Sequence, residues 1–486
     1  MCAVLPAGAV ACAQIAGIEE TSSGGRSSLA FTRASIGATV ERQPLDFNGL
    51  EGAWYLVADE SSPDGLRRIP AVLGDDAATW TATVPEGAQV MFQLPDYPAP
   101  IWRIWDVPNR NLQGLFSALE HPAAELAPPN AMFTLNVTLP SPYAAEERFS
   151  FTSVGTWNAR SFSDPTTELP VVGGTAFTPP AFAITSATKA PGGRDYEKIT
   201  TADAVMVLRY VPPKLTGVLE APPFDQTGND SIAGTLAAVT DDQTLAVQLA
   251  PAAVPARYTP LRPGMSAPTM AWSLNASPGW ELGVHDGPSL TSGVAAIDTG
   301  TLSVPYGNPF AAREWRATFL WSTSATRTYT PMNETLAITL AAGTRQLVDP
   351  TATTTLDLPA PIPEVITLGG MTLSSDGSTI PQPSTPVAVT MVTSGAAPSL
   401  YNLELFEILP NEANTALVQR RKLTITSTRP ELSIPPEFLE AGKRYNLRAH
   451  TVVGGYPLLT DGDLTARELP VASAYMDSGV FNVVAP

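Results

Sequence analysis

Proline is the residue that most constrains the fold of this chain. Its 486 residues include 48 prolines and 36 glycines. Because proline lacks a backbone N–H and clashes with the preceding helical turn, long helices are excluded over most of the sequence. The stretches between prolines are rich in Thr, Ser and Val, which favour strands. We therefore predict an all-β fold of many short strands joined by proline-rich turns.

Short runs of β-branched and aromatic residues between turn signals mark the individual strands. The clearest runs in the first half are residues 39–47, 53–59, 78–84, 89–94, 101–107, 132–139, 148–154 and 205–211. The best helix candidate, residues 112–127, is interrupted by Pro122.

A segment of 28 residues occurs twice. Residues 135–162 and 302–329 align without a gap at an offset of 167, with identical pairs such as Glu147/Glu314. A repeat of this size predicts modules in tandem rather than one enzyme body. Two aromatic side chains of the first copy fall on the opposite strand face from those of the second, so the match requires a bulge or a gap. The alternative is two independent pairs of sandwich strands with similar turns.

The length exceeds one ordinary core, so several domains are expected. We predict two related β-sandwich domains followed by a fibronectin type III-like sandwich, the last on grounds given below. The boundaries are a signal remnant and flexible tether at 1–38, sandwiches at 39–213 and 214–366, and a third domain at 367–486. All nine Trp lie between Trp54 and Trp321, so the last domain is a different type of module.

The last domain contains a recognisable corner motif. In the sequence LEAGKRY, Leu439 precedes Tyr445 by six residues. Tyr445, Leu447 and Ala449 are expected to face inward, and the intervening residues Asn446, Arg448 and His450 to face outward.

These residues make the last domain, from about residue 371, resemble a fibronectin type III domain, an immunoglobulin-like sandwich. The resemblance implies seven strands and a Tyr445 hydroxyl bonded back to the backbone at the corner. It further implies a spacer or binding role rather than a reaction. The sequence departs from the family at Ala441, where proline is usual, at Lys443, where threonine is usual, and in lacking the core Trp.

The charge balance excludes two classes of partner. The formal net charge is −18 at pH 7. Nucleic acids are bound mainly by Lys and Arg that neutralise phosphates, and anionic lipid surfaces likewise attract basic segments. We therefore predict no nucleic-acid partner and no electrostatic docking on membranes.

The two cysteines, Cys2 and Cys12, both lie near the N-terminus, so no disulfide framework can hold the domains. Small residues precede Cys12 in the sequence Ala9-Val10-Ala11, which resembles the end of a bacterial lipoprotein signal. The resemblance implies lipidation of Cys12, with a polar tether over residues 13–38. A charged leader is missing, so the true start lies upstream or the segment is no signal. No segment approaches the roughly 20 apolar residues of a membrane span.

Catalytic signatures are weak. The histidines are His121, His285 and His450, and neither a G-x-S-x-G elbow nor an HExxH motif occurs. His285 lies beside Asp286 between glycines, which is typical of a turn. Adjacent carboxylates on a strand point to opposite faces and do not form a glycosidase pair. We assign no catalytic residue.

Calcium binding is a better functional alternative for the clustered acidic residues than catalysis, because loops with several oxygen ligands bind calcium. The candidates are Asp461 with Asp463, and Asp225 with Asn229 and Asp230. Neither matches an EF-hand loop, so no metal and no cofactor is assigned.

The aromatic residues Trp54, Trp102 and Trp105 could form a platform on which sugar rings stack. Trp102 and Trp105 are three apart and face opposite sides of a strand. Core packing is the ordinary role of such residues in a sandwich.

Together these features predict a non-catalytic bacterial protein that is either part of the cell envelope or secreted. A cell-envelope protein would be lipid-anchored at Cys12 on the outer membrane or cell surface. Its sandwich modules would serve adhesion, scaffolding or ligand binding, with a protein or polysaccharide at the cell surface as partner. The alternatives are a carbohydrate-binding protein with an exposed Trp platform and a hydrolase. The hydrolase requires a cleft that gathers His285 with two carboxylates.

Overall fold

The computed structural model describes most of the chain. The described residues are 25–36, 40–44, 47–48, 52–85, 87–94, 101–107, 111–117, 128, 131–154, 158–183, 198–201, 203–249, 269–277, 288–295, 300–310, 314–329, 336–351, 355–356, 362–373, 377–393, 397–466 and 468–486. Within them 62% of the structure is strand and 2% is helix, which confirms the all-β prediction. None of the helices described is long and apolar enough to cross a membrane.

The strands fall into four consecutive units. Unit 1 comprises β1 (Gly25–Ile36), β2 (Val40–Pro44), β3 (Trp54–Ala58), β4 (Leu66–Pro70), β5 (Val72–Leu73), β6 (Thr79–Val84), β7 (Gln89–Leu94), β8 (Ile101–Asp106) and β9 (Asn111–Ser117). Unit 2 comprises β10 (Met132–Thr138), β11 (Arg148–Val154), β12 (Asn158–Phe162), β13 (Ala176–Phe177), β14 (Ala204–Val211), β15 (Lys214–Glu220), β16 (Asn229–Thr235) and β17 (Ala237–Ala238).

The second half of the chain contributes the other two units. Unit 3 comprises β18 (Gln243–Leu249), β19 (Thr269–Ser277), β20 (Ser289–Ala295), β21 (Gly300–Tyr306), β22 (Glu314–Tyr329), β23 (Leu336–Val348) and β24 (Thr355–Leu356). Unit 4 comprises β25 (Pro363–Leu368), β26 (Met371–Thr372), β27 (Ser378–Pro381), β28 (Val387–Thr393), β29 (Leu400–Pro410), β30 (Leu417–Ser427), β31 (Glu431–Ile434), β32 (Arg444–Gly454), β33 (Val471–Asp477) and β34 (Phe481–Val484), with single 3-10 turns at Pro436–Phe438 and Leu459–Asp461.

Strand pairing repeats in units 1 to 3, and unit 4 shares the order of the second sheet, whereas its central strand β28 pairs antiparallel with both neighbours. In unit 1, β1 pairs antiparallel with β6 and parallel with β9, and a second sheet has the order β4-β3-β7-β8. Unit 2 has the same pattern, with β10 between β13 and β16 and a sheet β12-β11-β14-β15. Unit 3 repeats it, with β18 between β21 and β24 and a sheet β20-β19-β22-β23. Unit 4 has β28 between β25 and β31 and a sheet β30-β29-β32-β33.

The alternating burial of apolar residues explains why each unit is a sandwich. In unit 1, Leu29 and Phe31 of one sheet pack with Tyr55, Phe92 and Trp105 of the other. Inward side chains at every second position close a core between two sheets, as expected for strands with one buried face. Unit 2 has its own core, which is rich in phenylalanine.

The repeat in the structure does not coincide with the repeat in the sequence. Residues 135–162 cover most of β10, which is the first strand of its unit, together with β11 and β12. Residues 302–329 cover most of β21, the fourth strand of its unit, and the long strand β22. The gapless match therefore joins strands that are not equivalent in pairing. A strand, a proline-containing turn and a second strand recur in each sandwich, which accounts for the similarity.

The division into units also differs from the predicted boundaries. The predicted boundary at position 213 lies in the two-residue turn between β14 and β15. These strands pair with each other, so the boundary falls inside unit 2. The predicted tether at 13–38 is wrong for residues 25–36, because these form β1, in which Leu29 and Phe31 are buried. The helix candidate at 112–127 begins instead as the strand β9, and residues 118–127 lie outside the described residues.

The four second sheets join edge to edge. The strand β8 of unit 1 pairs parallel with β30 of unit 4, and β33 of unit 4 pairs antiparallel with β23 of unit 3. Unit 3 meets unit 2 where Thr291 of β20 pairs with Lys214 of β15. The spatial order of the units is therefore 1-4-3-2, and the first and last parts of the chain are neighbours.

Unit 4 contains the hydrogen bond that the corner motif implies. The Tyr445 hydroxyl accepts a 3.1 Å hydrogen bond from the backbone N–H of Glu440, and Leu439 is fully buried. Tyr445, Leu447 and Ala449 are buried as expected. The prediction that Asn446 faces outward is wrong in one respect. Its side chain is buried, because Gln419 covers it and donates a 3.2 Å hydrogen bond to it.

Candidate binding cleft between the first and fourth units

A cavity of about 270 Å³ lies where unit 1 meets unit 4. Unit 4 provides most of its lining from β29, β30 and β32, and unit 1 closes it with residues of β1, β8 and β9. The lining residues are Phe31, Arg103, Trp105, Gly114, Leu400, Asn402, Glu404, Arg421, Thr424, Thr426, His450, Tyr456 and Leu464.

The floor of the cavity consists of two rows of side chains that cross the joined sheet. In the first row Trp105 pairs with Thr426, which pairs with Asn402, which in turn pairs with His450. In the second row Arg103 lies beside Thr424, and Thr424 lies beside Glu404. Because residues two apart on a strand share a face, the rows present polar groups to the same side of the sheet.

Arg421 reaches this floor because of a β-bulge. Leu405 pairs with Leu423, but the next residue, Phe406, pairs with Arg421, so Lys422 is an extra residue on β30. A bulge re-aims the side chains that follow it. Arg421 is thereby placed on the face of Thr424 instead of the face of Leu423.

Glu404 is held by two partners. The Arg421 Nη1 atom donates a 2.6 Å hydrogen bond to its Oε1, and its Oε2 lies 3.1 Å from the His450 Nε2. Burial alone would raise the pKa of Glu404, but His450 and Arg421 together lower that pKa to about 2. Glu404 is therefore ionised at neutral pH.

A second arginine lies beside this group. Burial, with the nearby positive charge of Arg421, lowers the pKa of Arg103 to about 10, and Glu404 opposes that shift. The arginines and carboxylates lining the cavity are thus two guanidinium groups and one carboxylate.

Aromatic residues form the wall on the side of unit 1. The Phe31 and Trp105 rings lie 5.1 Å apart between centroids, and Phe31 pairs in register with Gly114 of β9. A Cβ atom at position 114 would lie 2.1 Å from the Phe31 ring. Glycine is therefore required for Phe31 to lie across β9.

Hydrogen bonds fix the two units around the cleft. The Gln113 backbone donates to the carbonyl of Gly462 at 2.9 Å and accepts from Leu464 at 2.9 Å. On the other side, the Arg429 Nη2 atom donates to both carboxylate oxygens of Asp106, at 2.6 and 2.7 Å. This charge-assisted contact links β8 of unit 1 to the loop that follows β30 of unit 4.

The predicted Trp platform is not one surface. Trp105 is 5% exposed and lines the cavity. Trp102 faces the other side of β8, as the sequence predicted, and its ring lies 6.2 Å from that of Phe438. Trp54 is half-buried, and through its register partner Met91 it lies on the face of Ile104, opposite Trp105.

The other candidates either lie outside the described residues or have local partners. Cys12, His121 and His285 lie outside the described residues. The Asp463 Oδ1 atom accepts hydrogen bonds from Thr465, and Asp230 accepts them from Thr227, so both acids close their own turns. In the part of the chain that the structure describes, His, Cys, Asp and Glu form no group of three or more that could hold a metal ion.

His450 was expected on an exposed strand face, and the structure instead places it in the cleft. Asn402, Glu404 and Arg421 were not predicted as site residues. Polar Asn402 and Glu404 alternate with buried Leu403 and Leu405, which marks a polar sheet face. That signal was present in the sequence, but nothing local indicates that unit 1 covers this face.

No protein-family model matches the chain, and no curated protein matches it either. The cleft itself is therefore the basis for a functional proposal.

Proposed function

We propose that this protein is a non-catalytic, ligand-binding β-sandwich protein of the bacterial cell envelope or a secreted one. The observation that carries the proposal is the cavity between units 1 and 4, with polar groups on its floor and aromatic rings on its wall. Concave sites at the junction of two folded units, with a few convergent polar groups, are typical ligand sites.

The chemistry of the cleft favours binding over catalysis. A general acid or base is most effective when its pKa lies near the working pH. Glu404 has its pKa lowered to about 2 and is engaged by Arg421 and His450. Among the described lining residues it is the single carboxylate, whereas glycoside hydrolysis uses a facing pair.

The arrangement of the units supports a scaffolding role for the array. In units 1 to 3 the strand that follows each second sheet, β9, β16 or β24, returns to pair with the first strand of its own unit. The second sheets are then joined along their edges. This continuous pairing of neighbouring units supports a stiff array.

Two features support an immunoglobulin-like or fibronectin type III-like nature for unit 4. Its second sheet has the order β30-β29-β32-β33, with β28 between β25 and β31 in the other sheet. The Tyr445 hydroxyl closes the corner. Lipidation of Cys12 remains part of the proposal, and loss of palmitate-analogue labelling in Cys12→Ala would support it.

A carbohydrate ligand is the second candidate. Trp105 and Tyr456 contribute rings to the cavity, and Asn402, Thr424 and Thr426 contribute side chains that donate and accept hydrogen bonds. Sugar rings combine an apolar face with a polar rim, which fits this mixture.

The test is saturation-transfer NMR of the full chain with a panel of neutral and acidic saccharides. Thr426→Trp should fill the cavity and abolish the signal of any saccharide that binds there. Val418→Trp, on the same strand but 43% exposed, is the matched control and should leave that signal unchanged. Saccharide that is cleaved during prolonged incubation would overturn the non-catalytic proposal. Signals that Thr426→Trp does not reduce would place binding elsewhere.

A further inference from the structure

The cavity between units 1 and 4 is apolar at one end and polar at the other. At the apolar end, Leu400 and Leu464 line the cavity and belong to the same hydrophobic cluster as Trp105. At the polar end, Glu404 pairs in register with Thr424. The two ends therefore suit two chemically different parts of one ligand.

Asn402 lies at the boundary between the two ends. Leu400, Asn402 and Glu404 follow one another on one face of β29, at steps of about 6.6 Å. Asn402 pairs with Thr426 of the antiparallel strand β30, so the Cβ atoms of these two residues are about 5 Å apart. A carboxamide and a hydroxyl group thus separate the apolar end of the cavity from its polar end.

The side chains at this boundary have hydrogen-bonding capacity to spare. Within the described residues, the side chains of Asn402, Thr424 and Thr426 neither donate nor accept a hydrogen bond. All three are half-buried and line the cavity. A carboxamide offers two donors and one acceptor, and a hydroxyl group can both donate and accept. A ligand that satisfies these groups gains affinity and specificity from them.

An acetamido group matches this boundary. Because a secondary amide is trans, its N–H and C=O point to opposite sides. It therefore needs an acceptor and a donor on two neighbouring side chains, which Asn402 and Thr426 provide. A methyl group on the amide would lie towards Leu400, where a plain hydroxyl group would have no partner. The ionised carboxylate of Glu404 can accept hydrogen bonds from sugar hydroxyl groups at the other end.

We propose that the cleft binds a sugar that carries an N-acetylamino group. The acetamido group lies between Asn402 and Thr426, its methyl group points towards Leu400, and the ring hydroxyl groups meet Glu404 and Thr424. The inference rests on the proposed function, since it names the chemical class of the cleft's ligand. The cavity of about 270 Å³ is close to the lower limit of about 300 Å³ for typical ligand pockets, which suits a single sugar residue.

Matched pairs of sugars test the proposal with the full chain. N-acetylglucosamine and glucose differ only in the acetamido group, as do N-acetylgalactosamine and galactose, and each sugar is titrated by saturation-transfer NMR. We expect each acetamido sugar to bind about tenfold or more tightly than its plain counterpart, because it adds hydrogen bonds and a buried methyl group. Equal affinities within each pair, with both sugars displaced by Thr426→Trp, would overturn the inference but leave the cleft as a ligand site.

A probe without a sugar ring tests the other half of the assignment. N-acetylglycinamide has the acetamido group but none of the ring hydroxyl groups, so it should bind more weakly than either acetamido sugar. If it binds as tightly as they do, the assignment to a sugar is overturned. If no probe binds at all, this inference and the proposed function are both overturned.

Four variants separate recognition of the acetamido group from a structural role. Asn402→Leu and Thr426→Val keep the approximate volume but remove the polar groups, and each should weaken binding of the acetamido sugars by about tenfold while plain sugars are unchanged. Thr424→Val, at the polar end, should weaken both kinds of sugar alike. Asn136→Leu, exposed on β10 of unit 2, is the control and should change neither. Equal losses for both kinds of sugar in Asn402→Leu and Thr426→Val would contradict the assignment. Thermal unfolding of each variant shows that it is folded.

Discussion

Arg421 donates a 2.6 Å hydrogen bond to Glu404 across two neighbouring strands, from a position that strict alternation would have directed into the core. Leu423 and Ile425 of the same strand are fully buried on the core side. The extra residue Lys422 reverses the alternation and brings Arg421 to the cleft. One inserted residue thus places a guanidinium group at the candidate site.

The first prediction concerns Glu404 and pH. Its carboxylate is 13% exposed, and its pKa is lowered from 4.5 to about 2 in the folded chain. The stabilisation is present above the unfolded pKa of 4.5 and is lost as pH falls through about 2. At pH 7, Glu404→Gln should cost on the order of 2–3 kcal/mol of unfolding free energy. The measurement is urea denaturation at several pH values.

The difference between wild type and Glu404→Gln should shrink as the pH falls below 4.5 towards 2. Glu412→Gln, in the exposed turn after β29, is the control and should show little effect at any pH. A cost that stays constant down to pH 2 would mean that the carboxylate's charge is not what stabilises the fold.

A second prediction concerns the buried ion pair of unit 2. The Arg209 Nη2 atom lies 2.6 Å from a Glu147 oxygen, and both side chains are nearly inaccessible. Removal of one partner leaves a buried charge, so Arg209→Met should cost about 3–5 kcal/mol. Lys214→Met breaks the exposed pair with Asp241 and should cost about 1 kcal/mol or less. Equal unfolding midpoints for the two variants would contradict the prediction.

The corner of unit 4 provides a third prediction. Tyr445→Phe removes the hydroxyl that accepts the Glu440 N–H and leaves the ring in place. We expect a loss of about 1–2 kcal/mol, because the partly buried Glu440 N–H loses its acceptor. Tyr475→Phe, which keeps the ring beside Arg448, is the control and should lose less. Thermal unfolding should be followed by far-ultraviolet circular dichroism. Tryptophan fluorescence is unsuitable, because unit 4 contains no Trp.

Gly114 gives a fourth prediction. A Cβ atom there would lie 2.1 Å from Phe31, so Gly114→Ala must displace a ring that lines the cleft. Overpacking of this kind typically costs about 1–3 kcal/mol. Gly52→Ala, whose Cβ would meet Trp80 at an ordinary 3.4 Å, should be nearly neutral. Midpoints that match for the two variants would show that Phe31 moves aside without cost.

The strand content could be predicted because each strand is a local pattern. Proline positions excluded helices, and short runs of β-branched and aromatic residues between turns identified β3, β6, β7, β8, β10, β11 and β14. The same local pattern also produced the misleading sequence repeat. A strand and turn of unit 2 resemble a strand and turn of unit 3 that occupy a different position in their unit. Alternation also predicted correctly that Trp102 and Trp105 face opposite sides of β8.

The cleft could not be predicted, for two physical reasons. It depends on the pairing of β8 with β30, which is a contact between residues more than 300 positions apart in the chain. It also depends on a bulge at Lys422, and no glycine or other turn residue at that position indicates a bulge in the sequence. Burial of Leu29 and Phe31 was missed as well, because the polar residues around them are typical of a tether.

The parallel pairing of β8 with β30 has a consequence for biosynthesis. Residues 101–106 leave the ribosome long before residues 417–427 are made, so the edge of β8 must wait for its partner during most of translation. Units 1, 2 and 3 each carry the strand that closes their first sheet, and these pairings can form before unit 4 is made. The ligand site, by contrast, arises only when unit 4 arrives, and its occupancy would therefore report that a chain has been completed.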